Sequence, residues 1–204
     1  MTFSPPAGFA LYPEALSRDD QAALVAEVMN LVEDAPFYRA KVPGGRSMSV
    51  LNSNLGDLGW FADERGYRYQ SGHPASGKPW PAMPQSLLAL WRTYSGAEVE
   101  PDACLINLYR DGARMGLHRD MDEANRQAPV LSISLGDTAL FRLGGMKRTD
   151  PTCSFRLSSG DICVLGGEAR MAFHGVDRTI EGSSTLIPGG GRLNLTMRRA
   201  GLIG

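Results

Sequence analysis

From residue 102 onward the chain reads as one short strand after another, and that succession limits its fold more than any other feature. The segments 103–109, 130–135, 139–143, 154–157, 162–165, 171–176 and 193–197 are apolar or alternate apolar with polar. Clusters of Gly, Asp, Ser and Pro divide them. Strands this short and this numerous predict a double-sheet jelly roll, a double-stranded β-helix, whose two sheets face a central cavity. Two helical patterns precede them. Ser17 can cap a helix in which Leu24, Val25, Val28, Leu31 and Val32 recur at helical spacing until Pro36. Leu87, Leu88, Trp91 and Tyr94 mark a second helix that stops near Gly96, with Trp91 read as core. The expected class is mainly β with flanking helices (α+β), the helices covering one sheet. We expect a single domain over 1–204: an N-terminal segment and helix (1–36), a looped region (37–83), a helix (84–100) and the jelly-roll core (101–204).

The bulk numbers narrow the class of partner. A net charge of −1 means that a polyanion must be met by a local basic patch. Residues 1–100 carry 8 basic and 11 acidic side chains, and residues 101–204 carry 13 and 11, so the second half is mildly positive. Cys104, Cys153 and Cys163 are odd in number, lack a Cys-x-x-Cys pair and sit in apolar surroundings. They read as buried thiols in a reducing compartment. Met1-Thr2-Phe3-Ser4-Pro5-Pro6 lacks the basic and apolar regions of a signal peptide, and no run of 18 apolar residues occurs. A cytoplasmic protein without a membrane span is expected.

Residues 37–83 interleave aromatic and basic groups, among them Trp60, Arg65, Tyr67, Arg68 and Tyr69. Short strands are expected at 47–51 and 67–70. Such a surface suits stacked bases and phosphates, and equally a loop-rich flap whose aromatics fill its own small core. His73, in Ser71-Gly72-His73-Pro74, reads as a surface loop histidine.

Leu117-His118-Arg119-Asp120 carries the chemistry. In extended backbone, alternate side chains share a face, which puts an imidazole and a carboxylate side by side. A second imidazole, His174, would complete a two-histidine, one-carboxylate set of the kind that holds non-haem Fe(II) with open positions. Alone, His-x-Asp is a weak signal. The segment Arg192-Leu193-Asn194-Leu195-Thr196-Met197-Arg198 alternates strictly, with Leu193, Leu195 and Met197 on one face and Arg192, Asn194, Thr196 and Arg198 on the other. The polar face points either to solvent or into the cavity. In the second case two guanidiniums need anionic partners, and a dicarboxylate fits. Six positions span about 20 Å of strand, so one arginine is expected at the remote carboxylate and the other near the metal, balancing Asp120. Asn107 and Tyr109 share a face of the strand before the histidine, and Lys147 and Arg148 close a tight basic loop after Gly144-Gly145.

These residues resemble the bacterial AlkB family of dealkylating dioxygenases. The resemblance rests on Ser47-Met48-Ser49-Val50, Leu58-Gly59-Trp60, the run 78–86, the run 101–107, His118-x-Asp120, Ser132-x-Ser134-Leu135-Gly136, Gly144-Gly145-x-Lys147-Arg148 and Arg192-x-Asn194-Leu195-Thr196-x-Arg198. The blocks keep their order and cover nearly all the chain after about residue 35. The resemblance implies iron held by His118, Asp120 and His174. It implies 2-oxoglutarate held by Asn107, Tyr109, Arg192, Asn194 and Arg198, with Arg192 on the remote carboxylate. Residues 40–72 would form a nucleotide-recognition lid, with Trp60 stacking on the damaged base and Tyr67 and Tyr69 at the nucleotide backbone. Asp122 and Arg148 match the remaining substrate contacts. Asp57 stands where the family leads one to expect histidine, Leu165 where it leads one to expect tryptophan, and the loop before Arg192 is slightly longer.

The implied activity is Fe(II)/2-oxoglutarate-dependent oxidative demethylation of 1-methyladenine and 3-methylcytosine, with O2 as the other cosubstrate. The implied partners are alkylated single- or double-stranded DNA, with RNA a further candidate, and the expected state is a monomer. The alternatives are the same oxygenase chemistry on a protein or small molecule, or a cupin-like binding protein without catalysis.

Overall fold

The computed structural model describes residues 4–202; Met1-Thr2-Phe3, part of the segment read for a leader, lies outside them. The chain runs β1 (Phe9–Tyr12), α1 (Arg18–Val32), β2 (Leu51–Gly56), β3 (Gly59–Asp63), β4 (Gly66–Gln70) and α2 (Gln85–Tyr94). It continues through β5 (Ala103–Tyr109), β6 (Met115–His118), β7 (Val130–Gly136), β8 (Thr138–Leu143), β9 (Cys153–Leu157) and β10 (Ile162–Leu165). A 3-10 turn at Gly167–Met171 leads to β11 (His174–Ile180) and β12 (Arg192–Arg198).

The strands assemble into a six-stranded sheet in the order β1-β10-β7-β12-β5-β2 and a four-stranded sheet in the order β6-β11-β8-β9. The hairpin β3-β4 stands apart as its own two-stranded sheet. This is the expected jelly roll with flanking helices. Side-chain alternation explains how the large sheet serves two purposes, packing under the helices on one side and facing the cavity on the other. Leu193, Leu195, Met197, Cys104, Ile106 and Leu108 turn outward beneath Leu24, Val25 and Val28 of α1 and Leu87 and Trp91 of α2. Leu193, Leu195 and Met197 are wholly buried there, each contributing about 1.5–3 kcal/mol of transfer free energy. A second cluster, with Tyr109 and Cys163 from the large sheet and Phe141, Leu143 and Val176 from the small one, fills part of the space between the sheets. The rest of that inner face is polar.

α1 begins where expected: the Ser17 hydroxyl accepts the Asp20 amide at 3.2 Å. Four local expectations need correction. The strand expected at 171–176 starts only at His174, because Gly167–Met171 closes as a 3-10 turn with Ala172 N–H donating to Ala169 O. The strand expected at 47–51 begins at Leu51 and runs on through polar Asn52-Ser53-Asn54. His73 is buried rather than at the surface: its Nε2 lies 2.9 Å from Pro36 O, and its Nδ1 accepts the amides of Ala75 and Ser76. Cys104 and Cys163 are buried, but Cys153 is only half-buried, since it opens the outer strand of the small sheet; all three are free thiols. Among the described residues no helix is long and apolar enough to cross a membrane.

Candidate metal centre and cosubstrate cavity

His118 and His174 come together because β6 and β11 are antiparallel neighbours with these two residues directly opposite. Their rings lie 4.5 Å apart. Asp120 follows two residues after His118, and the ligand atoms of the three side chains all lie within 4.8 Å of one another. Both imidazoles are oriented by the backbone. His118 Nδ1 is 2.9 Å from Gly116 O, and His174 Nδ1 is 3.1 Å from Ala172 O. A carbonyl can only accept, so each Nδ1 carries the proton and each Nε2 keeps its lone pair. Those Nε2 atoms face Asp120, at 3.7 Å and 4.0 Å from its oxygens.

The electrostatics suit a divalent ion. Burial would raise the Asp120 carboxyl, but Arg198 and the two histidines hold it well below the usual carboxylate range. Burial, with His118 next to it, pushes the His174 imidazole down to about 4, so it is neutral at pH 7. Two imidazoles and one carboxylate, converging from one side, make the donor set that Fe(II) takes with open positions. The residues fit the metal.

The large sheet supplies the other wall. Arg198 Nη2 donates to Asp120 Oδ2 at 2.7 Å, so this arginine sits at the metal end. Arg192 lies at the far end of β12, almost wholly buried, donating to Ser134 Oγ at 2.8 Å and to Leu157 O at 3.2 Å. Its Nε has no partner, and no ion pair to a described carboxylate reaches it. Burial lowers its pKa for the same reason. A dry guanidinium without a counter-ion is the structural mark of an anion site. Asn107 and Asn194 are opposite each other on β5 and β12, and Tyr109 is opposite Arg192. All four therefore share the inner face. Asn52 extends that row onto β2, where its Nδ2 donates to Asn107 Oδ1 at 2.8 Å.

The residues expected to form a lid approach from β3 and β4. Trp60 Nε1 donates to Asp122 Oδ2 at 3.0 Å, and its ring stacks on Tyr67 at 5.8 Å with 21° between planes. Tyr69 OH donates to Glu123 Oε1 at 2.8 Å. Tyr67 is exposed at the rim. Arg148, also exposed, donates to Leu117 O at 2.8 Å, directly before His118.

Sequence reasoning missed Glu123. It is 3% exposed and accepts from Tyr69, from Arg198 at 3.1 Å and from Arg170 at 3.1 Å. The acidic run Asp120-Met121-Asp122-Glu123 was the available signal. Arg170, in the 3-10 turn, was not legible at all; it also donates to Asp120 O at 2.9 Å.

Comparison with known proteins follows the same lines. Residues 8–198 match the model of the 2OG-Fe(II) oxygenase superfamily. An alpha-ketoglutarate-dependent dioxygenase AlkB homolog from Caulobacter vibrioides is 58% identical over 193 residues, covering 95% of this chain and 88% of that protein. Alpha-ketoglutarate-dependent dioxygenase AlkB from Escherichia coli is 42% identical over 182 residues, covering 87% and 84%. Among solved structures, that of OsALKBH1 superposes with a TM-score of 0.79 at 29% identity, covering 98% and 99% of the two chains. The chain belongs to the 2OG-Fe(II) oxygenase superfamily and, within it, to the AlkB family of Fe(II)/2-oxoglutarate-dependent dioxygenases.

Proposed function

We propose that this dioxygenase removes N-methyl groups from nucleic-acid bases, with 1-methyladenine and 3-methylcytosine as its substrates in DNA and RNA a further candidate. The observation that carries the reading is the pairing of Trp60 with Asp122, an indole bonded at 3.0 Å to a carboxylate two residues from Asp120. A flat, positively charged methylated ring is attracted both to an aromatic face and to a carboxylate. The pair thus offers the two contacts such a base needs, at the mouth of the metal site.

His118, Asp120 and His174 would hold the iron. The bound Fe(II)/2-oxoglutarate/O2 system supplies the oxidation that converts an N-methyl to an N-hydroxymethyl group, which leaves as formaldehyde while 2-oxoglutarate becomes succinate and carbon dioxide. Around that centre the chain's own groups divide the work. Arg192 would bind the remote carboxylate with Tyr109 beside it, while Asn107, Asn194 and Arg198 would orient the other end. Arg198 also neutralises Asp120, so that adding the dianionic cosubstrate does not crowd negative charge. Residues 37–83 would act as the lid: Trp60 stacks on the base, while Tyr67, Tyr69 and Arg148 meet the nucleotide backbone. A duplex base must leave its stack to reach the iron, and a lesion that cannot pair lowers that cost. We read the enzyme as a cytoplasmic, single-domain monomer.

The test is formaldehyde release from oligonucleotides carrying 1-methyladenine or 3-methylcytosine, run beside unmethylated controls with Fe(II), 2-oxoglutarate and O2. Stoichiometric formaldehyde and succinate are expected. Succinate formed without formaldehyde, together with product from a methylated protein or small molecule, would transfer the chemistry to another substrate class.

A further inference from the structure

We infer that Asn54, a wholly buried residue of β2, is the positioning residue that sets the base-stacking ring of Trp60; this rests on the reading of Trp60 given above. The hairpin β3-β4 is not part of either large sheet, so no continuous backbone ladder ties it to the core. A side chain makes the tie instead. Asn54 Oδ1 accepts the Trp60 amide at 2.9 Å, and Asn54 Nδ2 donates to the Trp60 carbonyl at 3.0 Å. One amide thus meets both backbone groups of one residue, as a neighbouring strand would. The Tyr38 hydroxyl donates to the same carbonyl at 2.7 Å, and Asn54 Nδ2 lies 3.2 Å from that hydroxyl.

Chemistry narrows the residue type. An aspartate has no donor for the carbonyl, a serine has a single oxygen, and a glutamine carries its amide one methylene further out. Gly59 makes the approach possible: a Cβ there would overlap the Trp80 indole and come within 2.8 Å of Asn54 Cβ. At its other end the Trp60 ring is held by Asp122. The indole is therefore fixed by its backbone to the edge strand of the large sheet and by its ring to the metal-bearing segment. It meets a base already oriented, without an ordering cost at binding.

The test is a double-mutant cycle between Asn54→Leu and Trp60→Ala, reading KM for a 3-methylcytosine oligonucleotide. Affinity for 2-oxoglutarate is followed in parallel by the charge-transfer absorbance of the anaerobic Fe(II) enzyme. Asn54→Leu is expected to raise the oligonucleotide KM about tenfold, the scale of one or two lost hydrogen bonds, with 2-oxoglutarate affinity unchanged. Acrylamide should quench its tryptophan emission more, because Trp80 and Trp91 are buried and Trp60 is the half-exposed indole. The double variant should be no worse than Trp60→Ala alone. If Trp60→Ala raises KM but the two effects add, or if 2-oxoglutarate affinity falls equally in Asn54→Leu, the positioning role is overturned and the stacking role stands. If Trp60→Ala leaves KM unchanged, both are overturned. Should Asn54→Leu not fold, the same cycle with Asn54→Ser separates the same outcomes.

Discussion

At the residue scale, the site is governed by how buried charges are arranged around Asp120. Removing one metal ligand should be decisive. His118→Ala is expected to abolish formaldehyde release and to weaken Fe(II) binding, measured by anaerobic charge-transfer titration. Retention of more than a few per cent of turnover would exclude His118 as a ligand. His174 supplies a separate prediction through its proton. Its ordinary value of 6.5 is pushed down to about 4 by burial, with His118 adding to the effect. Between those values the unfolded chain binds a proton that the folded protein refuses, so stability rises with pH across that window and is lost on acidification. At about 1.4 kcal/mol per pKa unit, the loss is a few kcal/mol at most. Metal-stripped protein should therefore melt lower at pH 5 than at pH 7, and His174→Gln should flatten that slope. The same slope in the variant would place the titrating group elsewhere. Asp120, already held low chiefly by Arg198 against the effect of burial, adds a further loss only in strong acid.

The element that matters most is the β6-β11 pair, because its register sets the distance between the two imidazoles. Gly175, next to His174, sits where a Cβ would come within 2.7 Å of Met115 O and 2.9 Å of Gly116 O. Gly175→Ala is thus expected to push the strands apart and weaken Fe(II) binding about tenfold or more, as displaced ligand geometry does. Circular dichroism should stay near wild type, and an unaltered iron affinity would show that the strands can absorb the methyl group. This pair also marks where the sequence stopped being legible. Apolar runs and alternation made β5, β7, β8, β10 and β12 readable, and the same rule put Arg192 and Arg198 on one face. That this face turns inward rather than to solvent is seen only in the folded sheet, where both are buried. β6 has only four residues, Met115 to His118, and no such pattern. β2 was obscured by Asn52-Ser53-Asn54, whose polar groups are bonded largely inside the protein rather than to water. Local pattern cannot show a partner that lies 55 residues away, as Asn107 does from Asn52. The metal trio was legible in composition, but its closure needed β11 to start at His174, just beyond the 3-10 turn that ends at Met171.

At the scale of the whole molecule, the metal ligands come from the small sheet and the loop after β6, while Arg192, Asn194, Arg198, Asn107 and Tyr109 belong to the large sheet. At this end Arg198 bonds the two walls directly, through Asp120 and Glu123. A metal alone engages one sheet. A dicarboxylate that also chelates the metal would span both, acting as a removable strut between them. Binding at a hundredfold excess over Kd stabilises a protein by about 2.7 kcal/mol, and in a chain of this size each kcal/mol raises Tm by about 2–4 °C. Fe(II) with 2-oxoglutarate, kept anaerobic, should therefore raise Tm by about 5–10 °C over the chelated protein. The rise should exceed the sum of those produced by either alone, because 2-oxoglutarate without metal lacks the chelate that would tie its other end to the small sheet. Arg192→Met separates the two contributions: it should retain the shift due to Fe(II) and lose the extra rise with 2-oxoglutarate. If both shifts survived in that variant, the remote carboxylate would have to be bound away from Arg192, and the strut between the sheets would lie elsewhere on the inner face.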